Sequence, residues 1–175
     1  MKCSSSDNEL EKEKLLNCLY RSYFSKVKEL APDKLLAMSP ASMYYEDMTR
    51  DFDDFWGCML DGVPLDILMP QDSVGTGGCS LEEQPHMWQL WKKTADIHNV
   101  RLWCHLEIFE RRAFGGTEPF VSADPARVRA QMNNVSPYVE KCICFEFPYF
   151  TGNAQGATRL KDEIFTPTTS SVIGV

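Results

Sequence analysis

Four short apolar segments, spaced between amphipathic helical segments, constrain the fold of this chain more than any other feature. The apolar segments cover residues 34–40, 65–69, 101–109 and 141–147. They are nearly continuous apolar runs, as is typical of parallel strands. Helical spacing of apolar residues occurs over about 8–30, 46–60, 81–98 and 125–135. The order α-β-α-β-α-β-α-β predicts parallel βα units.

Such units build either an open doubly wound sheet or part of a TIM (β/α)8 barrel. The 175 residues and 43% apolar content fit one domain with a real core. We expect a disordered N-terminus over 1–7, one βα-repeat domain over 8–165 and a flexible tail over 166–175. The glycines at 75, 77 and 78 match neither GxGxxG nor GxxxxGK[ST], which argues against a phosphate cradle.

Charge and cysteine usage exclude several functional classes. A net charge of −7 and a pI of about 5.0 argue against a nucleic-acid partner, because phosphate binding needs clustered Lys and Arg. The seven cysteines include no CxxC spacing, which favours free thiols in a reducing compartment. The three histidines offer no zinc-ligand spacing, so we expect no metal and no cofactor.

The chain has no sequence signal for membrane insertion or export. No apolar run approaches the roughly 20 residues that span a bilayer. The N-terminal stretch MKCSSSDNELEKEK is polar and lacks the apolar segment of a signal peptide. As written, the sequence predicts a cytoplasmic protein without a membrane partner; an N-terminus further upstream would leave the location unknown.

Acidic side chains lie at or near the ends of three predicted strands. Asp72 follows the second strand, Glu107 lies in the third and Glu146 in the fourth. In βα folds the carboxyl ends of the strands form the edge where ligands bind. Glycoside hydrolysis needs two carboxyl groups flanking the scissile bond, one as general acid and one as nucleophile or base. The three acids therefore predict an acidic cleft with catalytic carboxylates.

Strand alternation assigns further side chains to that cleft. Trp103, His105 and Glu107 are expected on one face of the third strand, with Leu102, Cys104 and Leu106 on the other. Glu146 is expected on the same side as Glu107. Aromatic rings near the mouth suit stacking on sugar rings, and the candidate substrate-binding residues are Gln71, His105, Trp103, Phe109, Tyr44 and Tyr149.

Each acid also has a structural interpretation. Asp72 precedes Ser-Val-Gly and could cap a turn. Glu107 could form an ion pair with Arg111 or Arg112, and Glu146 with Arg101 or Lys141. His105 could be a hydrogen-bonded neighbour rather than a base. The coincidence of three acids at successive strand ends favours the functional interpretation.

At these residues the sequence resembles a known family. The stretches LLAMSPASMY, DILMPQDSVGTGG, RLWCHLEIFE and EKCICFEFPYF resemble the DUF4434 family of glycosidase-like TIM-barrel proteins, found mostly in bacteria. The resemblance spans about residues 10–155. It implies a (β/α)8 scaffold with a carbohydrate-sized cleft and candidate roles for Gln71, Asp72, Glu107 and Glu146.

The length of the chain departs from a full barrel, which needs about 250 residues. Room for about four strands predicts a half-barrel that corresponds to the C-terminal half of the family fold. The expected partners are a carbohydrate ligand and either a second copy of the chain or another polypeptide that supplies the missing half. The remaining alternative is that the chain is an incomplete gene product. Two functions stay open: a glycoside hydrolase, or a carbohydrate- or protein-binding partial barrel without catalysis. A third possibility is a small α/β regulatory domain with an open sheet.

Overall fold

A computed structural model of the protein describes residues 5–41, 52–111 and 120–166, with side chains from residue 10 onward. The first element is a long helix, α1 (Ser5–Leu30), which begins inside the segment expected to be disordered. Among the described residues, no helix combines the length and apolarity needed to cross a bilayer. Tyr44, Arg112 and nearly all of the expected C-terminal tail lie outside this description.

Four parallel strands form one sheet in the order of the chain. They are β1 (Ala37–Met38), β2 (Ile67–Leu68), β3 (Arg101–Glu107) and, after a short hairpin, β6 (Lys141–Phe145). The sheet order is β1-β2-β3-β6, and every pairing in it is parallel. Sequential order without reversal is the topology of a barrel wall rather than of a doubly wound sheet.

The helices between these strands follow the predicted pattern. They are α2 (Phe52–Leu60), α3 (Gln84–Ile97) and α4 (Pro125–Val135). Asp124 caps the N-terminus of α4, since its Oδ1 accepts a hydrogen bond of 2.8 Å from the backbone N–H of Ala126. Pro125 fills the first helical position, where its missing N–H costs nothing.

Within the described residues, the helices cover one face of the sheet and leave the other uncovered. Leu68, Leu102, Cys104 and Leu106, which face the helices, are at most 4% exposed. On the opposite face Trp103 and His105 are half-buried, and Ile143 is 40% exposed. A doubly wound sheet would bury both faces. The fold is therefore a partial TIM barrel, and residues 5–41, 52–111 and 120–166 leave its inner face open.

Several elements depart from the sequence prediction. The strands β1 and β2 are shorter than the apolar runs that contain them. The third run divides at Ile108, and its end forms an antiparallel hairpin of β4 (Phe109–Arg111) and β5 (Phe120–Ser122). The segment after β6, for which the sequence predicted no helix or strand, contains α5 (Phe147–Gly152), α6 (Ala157–Leu160) and a π-helical turn at Lys161–Phe165.

Candidate functional site

Glu107 ends β3 on the inner face of the sheet and is only 3% exposed. Its Oε2 accepts a hydrogen bond of 2.8 Å from the backbone N–H of Thr76 and one of 3.2 Å from the Thr76 hydroxyl. Burial raises the pKa of Glu107, while hydrogen bonds from Thr76 and the backbone of Gly75 and the charge of Arg127 act to lower it. Burial is the larger effect and the pKa is raised overall, so Glu107 holds a proton more readily than an exposed glutamate.

The glycine-rich loop after β2 is built around Glu107. A Cβ at Gly75 would lie 2.4 Å from the carbonyl oxygen of Phe109 and 3.1 Å from Oε2 of Glu107, so only glycine fits this approach. The carbonyl of Gly75 accepts a 3.0 Å hydrogen bond from the backbone N–H of Arg111. Ser73 enters the loop with φ of 55°, a left-handed conformation that is uncommon for a residue with a side chain. The loop is thus a carboxylate cradle rather than a phosphate cradle.

Glu107 opens into a small cavity of about 170 Å³. The cavity is lined by one carboxyl, two polar side chains and two aromatic rings, which belong to Glu107, Gln71, Thr76, Phe109 and Phe145. Ligand sites are typically apolar concavities with a few placed polar groups, and drug-sized ones measure roughly 300–1,000 Å³. This cavity has the composition of such a site at a smaller volume, suited to one ring of a ligand.

Asp72 does not reach this cavity, which corrects the expectation of an acidic cleft walled by Asp72. Its side chain is 0% exposed and lies between the sheet and the helices α3 and α4. Oδ1 accepts a 3.0 Å hydrogen bond from the backbone N–H of Glu107, and Oδ2 accepts bonds from the amides of Gln131 at 2.5 Å and Gln84 at 3.2 Å. Burial raises the pKa of Asp72 to about 7. Through these contacts Asp72 connects β3, which carries Glu107, to the helices α3 and α4.

Glu146 does not share the face of Glu107 either. The register pairs Glu107 with Phe145, so Phe145 takes the inner-face position and β6 ends there. Glu146 is the N-cap residue of α5, has no side-chain capping bond and is exposed. The expected alternation was wrong by one residue, although Glu146 still lies at the carboxyl end of the strand next to β3.

The remaining predicted residues divide between the cavity and other parts of the sheet. Gln71 and Phe109 line the cavity, and Phe109 also stacks on Phe150 at 5.2 Å. His105 lies further back on β3, where its Nδ1 is 2.9 Å from the Ser39 hydroxyl, and burial lowers its pKa. Trp103 lies nearer the start of β3, and the cations of Arg101 and Lys141 each contact its ring, at 5.7 Å and 4.9 Å from the centroid.

Tyr149 and Tyr44 complete the predicted set. Tyr149 is 38% exposed on α5 and packs edge-on against Phe150 with ring centroids 5.0 Å apart. It does not belong to the lining of the cavity described above. Tyr44 lies outside the described residues. Among the substrate-binding candidates, the structure therefore brings Gln71 and Phe109 to Glu107 and places His105, Trp103 and Tyr149 elsewhere.

Sequence reasoning missed three residues that support the site from helices. Gln84 and Gln131 are 0% exposed and hold Asp72. Arg127 donates from Nη2 to the backbone carbonyls of Phe109 at 2.6 Å and Glu107 at 3.3 Å, which fixes the chain where β3 meets the hairpin. A signal existed: Gln131 lies at helical spacing between the apolar positions of Val128 and Val135, where an amide needs a buried partner.

With this geometry established, comparison with known proteins identifies the family. The profile of the domain of unknown function DUF4434 matches residues 6–156. This chain belongs to the DUF4434 family. The match covers all four strands and the helices between them, so the predicted resemblance and the fold class are both confirmed.

A solved structure shares the fold of this chain. The chain is similar to a candidate alpha-L-fucosidase from Bacteroides thetaiotaomicron, with a TM-score of 0.70 and 20% sequence identity. The alignment covers 83% of this chain and 49% of the other, so the DUF4434 chain spans about half the length of that protein. At this identity the likeness describes the fold. Among curated proteins, no match is found.

Proposed function

We propose that this DUF4434 chain forms one wall of a glycoside-hydrolase-type site and that Glu107 is its principal carboxylate. The observation that carries the proposal is a buried carboxyl, held by Thr76, that lines a cavity together with an amide and aromatic rings. Burial raises the pKa of Glu107, as a general acid near neutral pH requires. Gln71 is a hydrogen-bonding group for a sugar hydroxyl, and the rings of Phe109 and Phe145 suit the apolar face of a pyranose.

The second carboxylate of a hydrolase must approach the opposite side of the glycosidic bond. Of the two partners that the sequence suggests, Glu146 is the accessible one, because Asp72 has no exposed surface. Glu146 follows Phe145, which lines the cavity. We therefore propose Glu107 as general acid, with Glu146, which lies outside the cavity lining at the carboxyl end of the neighbouring strand, as the candidate partner that this chain offers.

A non-catalytic carbohydrate-binding function is the second candidate. Within the described residues, Glu107 is the one acid that lines the cavity, whereas hydrolysis of this type uses a pair. A wall with one carboxylate, an amide and aromatic rings is sufficient for binding. The two functions differ in whether a bound glycoside is cleaved.

Glu107→Gln and Glu146→Gln, assayed on a panel of aryl glycosides and oligosaccharides, test the catalytic proposal. Alpha-L-fucosides come first, because the similar structure carries that description. Loss of a general acid lowers turnover by about 100-fold or more. The control is Glu82→Gln, at an exposed position. Wild-type turnover in both site variants would overturn the catalytic assignment.

Calorimetric titration with the same sugars separates binding from chemistry. Binding heat with the wild-type chain and with Glu107→Gln, in the absence of any turnover, would favour the binding function. If no sugar of the panel binds or is cleaved, the carbohydrate proposal fails in both forms.

A further inference from the structure

A pair of cysteines lies behind the strand that carries Glu107. In the parallel register of β3 and β6, Cys104 is the direct partner of Cys142. Adjacent strands lie about 4.8 Å apart, and disulfides join Cα atoms that are roughly 4.4–6.8 Å apart. Residues paired in register share a face, so both thiols lie on the helix-covered side of the sheet, and neither cysteine is in a disulfide.

A third cysteine on the same face has a different partner. Cys144 lies opposite Leu106, so no thiol faces it across the two strands. Cys142 and Cys144 are alternate residues of one strand, and their side chains run parallel instead of converging. Within the described chain, no cluster of three or more His, Cys, Asp or Glu side chains is arranged to hold a metal ion. The register therefore pairs Cys104 with Cys142 and places Leu106, not a cysteine, opposite Cys144.

We propose that Cys104 and Cys142 are a thiol-oxidation site, which a peroxide converts into a reversible disulfide between β3 and β6. Cys142 is half-buried and reachable, whereas Cys104 is 0% exposed. β6 is the last strand of the described sheet, so it can adjust toward β3 when the bond forms. This inference holds whether or not the cavity binds a carbohydrate.

The two thiols have distinct chemical roles. A hydrogen bond with Cys104 lowers the pKa of Cys142, and burial raises the pKa of Cys104 well above its usual value. The Cys142 thiol loses its proton, and the thiolate attacks one peroxide oxygen. The O–O bond breaks, a sulfenic acid forms on Cys142, and the leaving hydroxide takes up the proton as water. Cys104 sulfur then attacks Cys142 sulfur; the S–O bond breaks, and the hydroxyl leaves as water with the Cys104 proton. The sum is two thiols and one hydrogen peroxide giving one disulfide and two waters.

The disulfide would constrain the strand pair that carries the cavity. Glu107 and Phe145 are also register partners on these strands, further toward their carboxyl ends. A bond between Cys104 and Cys142 fixes the spacing of β3 and β6 at this point, and so restrains the spacing of these two cavity-lining side chains. A dithiol reduces the disulfide back to two free thiols, so the oxidised fraction of the protein depends on the concentrations of peroxide and thiol.

The test treats the reduced full chain with stoichiometric hydrogen peroxide, blocks free thiols by alkylation and maps tryptic peptides. Trypsin cleaves after Lys141, so Cys142 and Cys144 share one peptide and variants must assign the bond. The expected result is a cross-linked peptide that has lost two hydrogens in the wild type and in Cys144→Ser. The link is absent in Cys142→Ser and in Cys104→Ser, and dithiothreitol removes it.

Two results would overturn the proposal. One is sulfinic or sulfonic acid at Cys142 with no cross-link, which would mean that Cys104 cannot resolve the sulfenic acid. The other is a cross-link that survives Cys142→Ser and disappears in Cys144→Ser. Because Cys104 is buried and its serine variant risks misfolding, the comparison of Cys142→Ser with Cys144→Ser decides the outcome by itself.

Discussion

The three acids that suggested a cleft occupy different environments because a strand directs alternate residues to opposite faces. Leu68 faces the helices, and Asp72 follows it by an even number of residues, so Asp72 also faces the helices. The same counting places Glu146 with Cys142 and Cys144. Glu107 alone has the parity of Trp103 and His105 on the inner face. Strand alternation alone assigns each acid to its face of the sheet, provided that the registers of β2, β3 and β6 are considered together.

Asp72 makes stability depend on pH in a specific direction. The unfolded carboxyl has a pKa near 3.8, whereas burial raises the pKa of the folded carboxyl to about 7. Between these values the native state holds a proton that the unfolded state has released, so this group lowers the free energy of unfolding as pH rises. Each unit of separation corresponds to about 1.4 kcal/mol. We expect Asp72→Asn to remove this part of the dependence, measured as urea midpoints at about pH 5 and about pH 8.

The amide introduced by Asp72→Asn has a route to acceptable hydrogen bonds. Its carbonyl oxygen can accept from the Glu107 N–H. Its NH₂ replaces the Oδ2 to which Gln131 donates, so the Gln131 amide must turn over and present Oε1, which is buried without a hydrogen-bond partner, as the acceptor. Asp66→Asn is the control of opposite sign, because a hydrogen bond from Lys28 lowers the pKa of Asp66. Asp66 therefore adds stability that is lost as pH falls. An unchanged pH dependence in Asp72→Asn would refute the assignment of Asp72.

Among the elements, the loop between β2 and α3 depends on the absence of a side chain at Gly75. We expect Gly75→Ala to destabilise the fold by about 1–3 kcal/mol, because its Cβ overlaps the Phe109 carbonyl and cannot move away from backbone. The displaced loop would also withdraw Thr76 from Glu107. Thermal unfolding measures the first effect, and the pH profile of ligand binding measures the second.

Gly57 provides the matched control for this substitution. It lies inside α2, and a Cβ there would meet nothing within 4 Å. Gly57→Ala should therefore stabilise the protein by up to about 1 kcal/mol through helix propensity. If Gly75→Ala were as stable as Gly57→Ala, the close packing of the loop on Glu107 would be disproved.

The accuracy of the sequence prediction varied between elements for physical reasons. The strand β3 was predicted with its two faces, since Leu102, Cys104 and Leu106 form an uninterrupted apolar set. The hairpin β4–β5 was missed because Phe109 continues that apolar run, and nothing local marks the break at Ile108. The hydrogen bonds from Thr76 to Glu107 were also missed, because they depend on a close approach between the glycine-rich loop and the end of β3. Such long-range contacts leave no periodic signal in the sequence.

At the scale of the whole molecule, the sheet has an uncovered face and two free edges within the described residues. Ile143 and Phe145 are 40% and 43% exposed on that face. On α1, Leu15, Leu19 and Tyr23 form a stripe at helical spacing that is more than half exposed. Monomeric proteins seldom expose apolar surface of this continuity. The alignment covers 49% of the similar structure, so about half of that fold has no counterpart in the aligned part of this chain.

We expect a second copy of the chain to supply that half. Rotation about the axis of a barrel would place β6 of one copy beside β1 of the other in parallel orientation, and two such contacts close eight strands. Both edges are parallel strands of one sheet, so the pairing needs no reversal of direction. Closure would bury Ile143 and complete the mouth around Glu107. Light scattering coupled to size-exclusion chromatography should therefore give twice the mass of 20.0 kDa.

Two lysine substitutions decide between closure and nonspecific association. Ile143→Lys places a charge on the inner face and should shift the dimer toward monomer, because an unpaired charge inside a closed barrel is costly. Ile97→Lys changes a residue that is 66% exposed at the end of α3, whose strand neighbours β2 and β3 are not sheet edges, and should leave the dimer intact. A monomeric wild-type chain, or equal loss of association in both variants, would contradict closure by a second copy. In the monomeric case, the cavity at Glu107 would act as the open half-site of a binding protein.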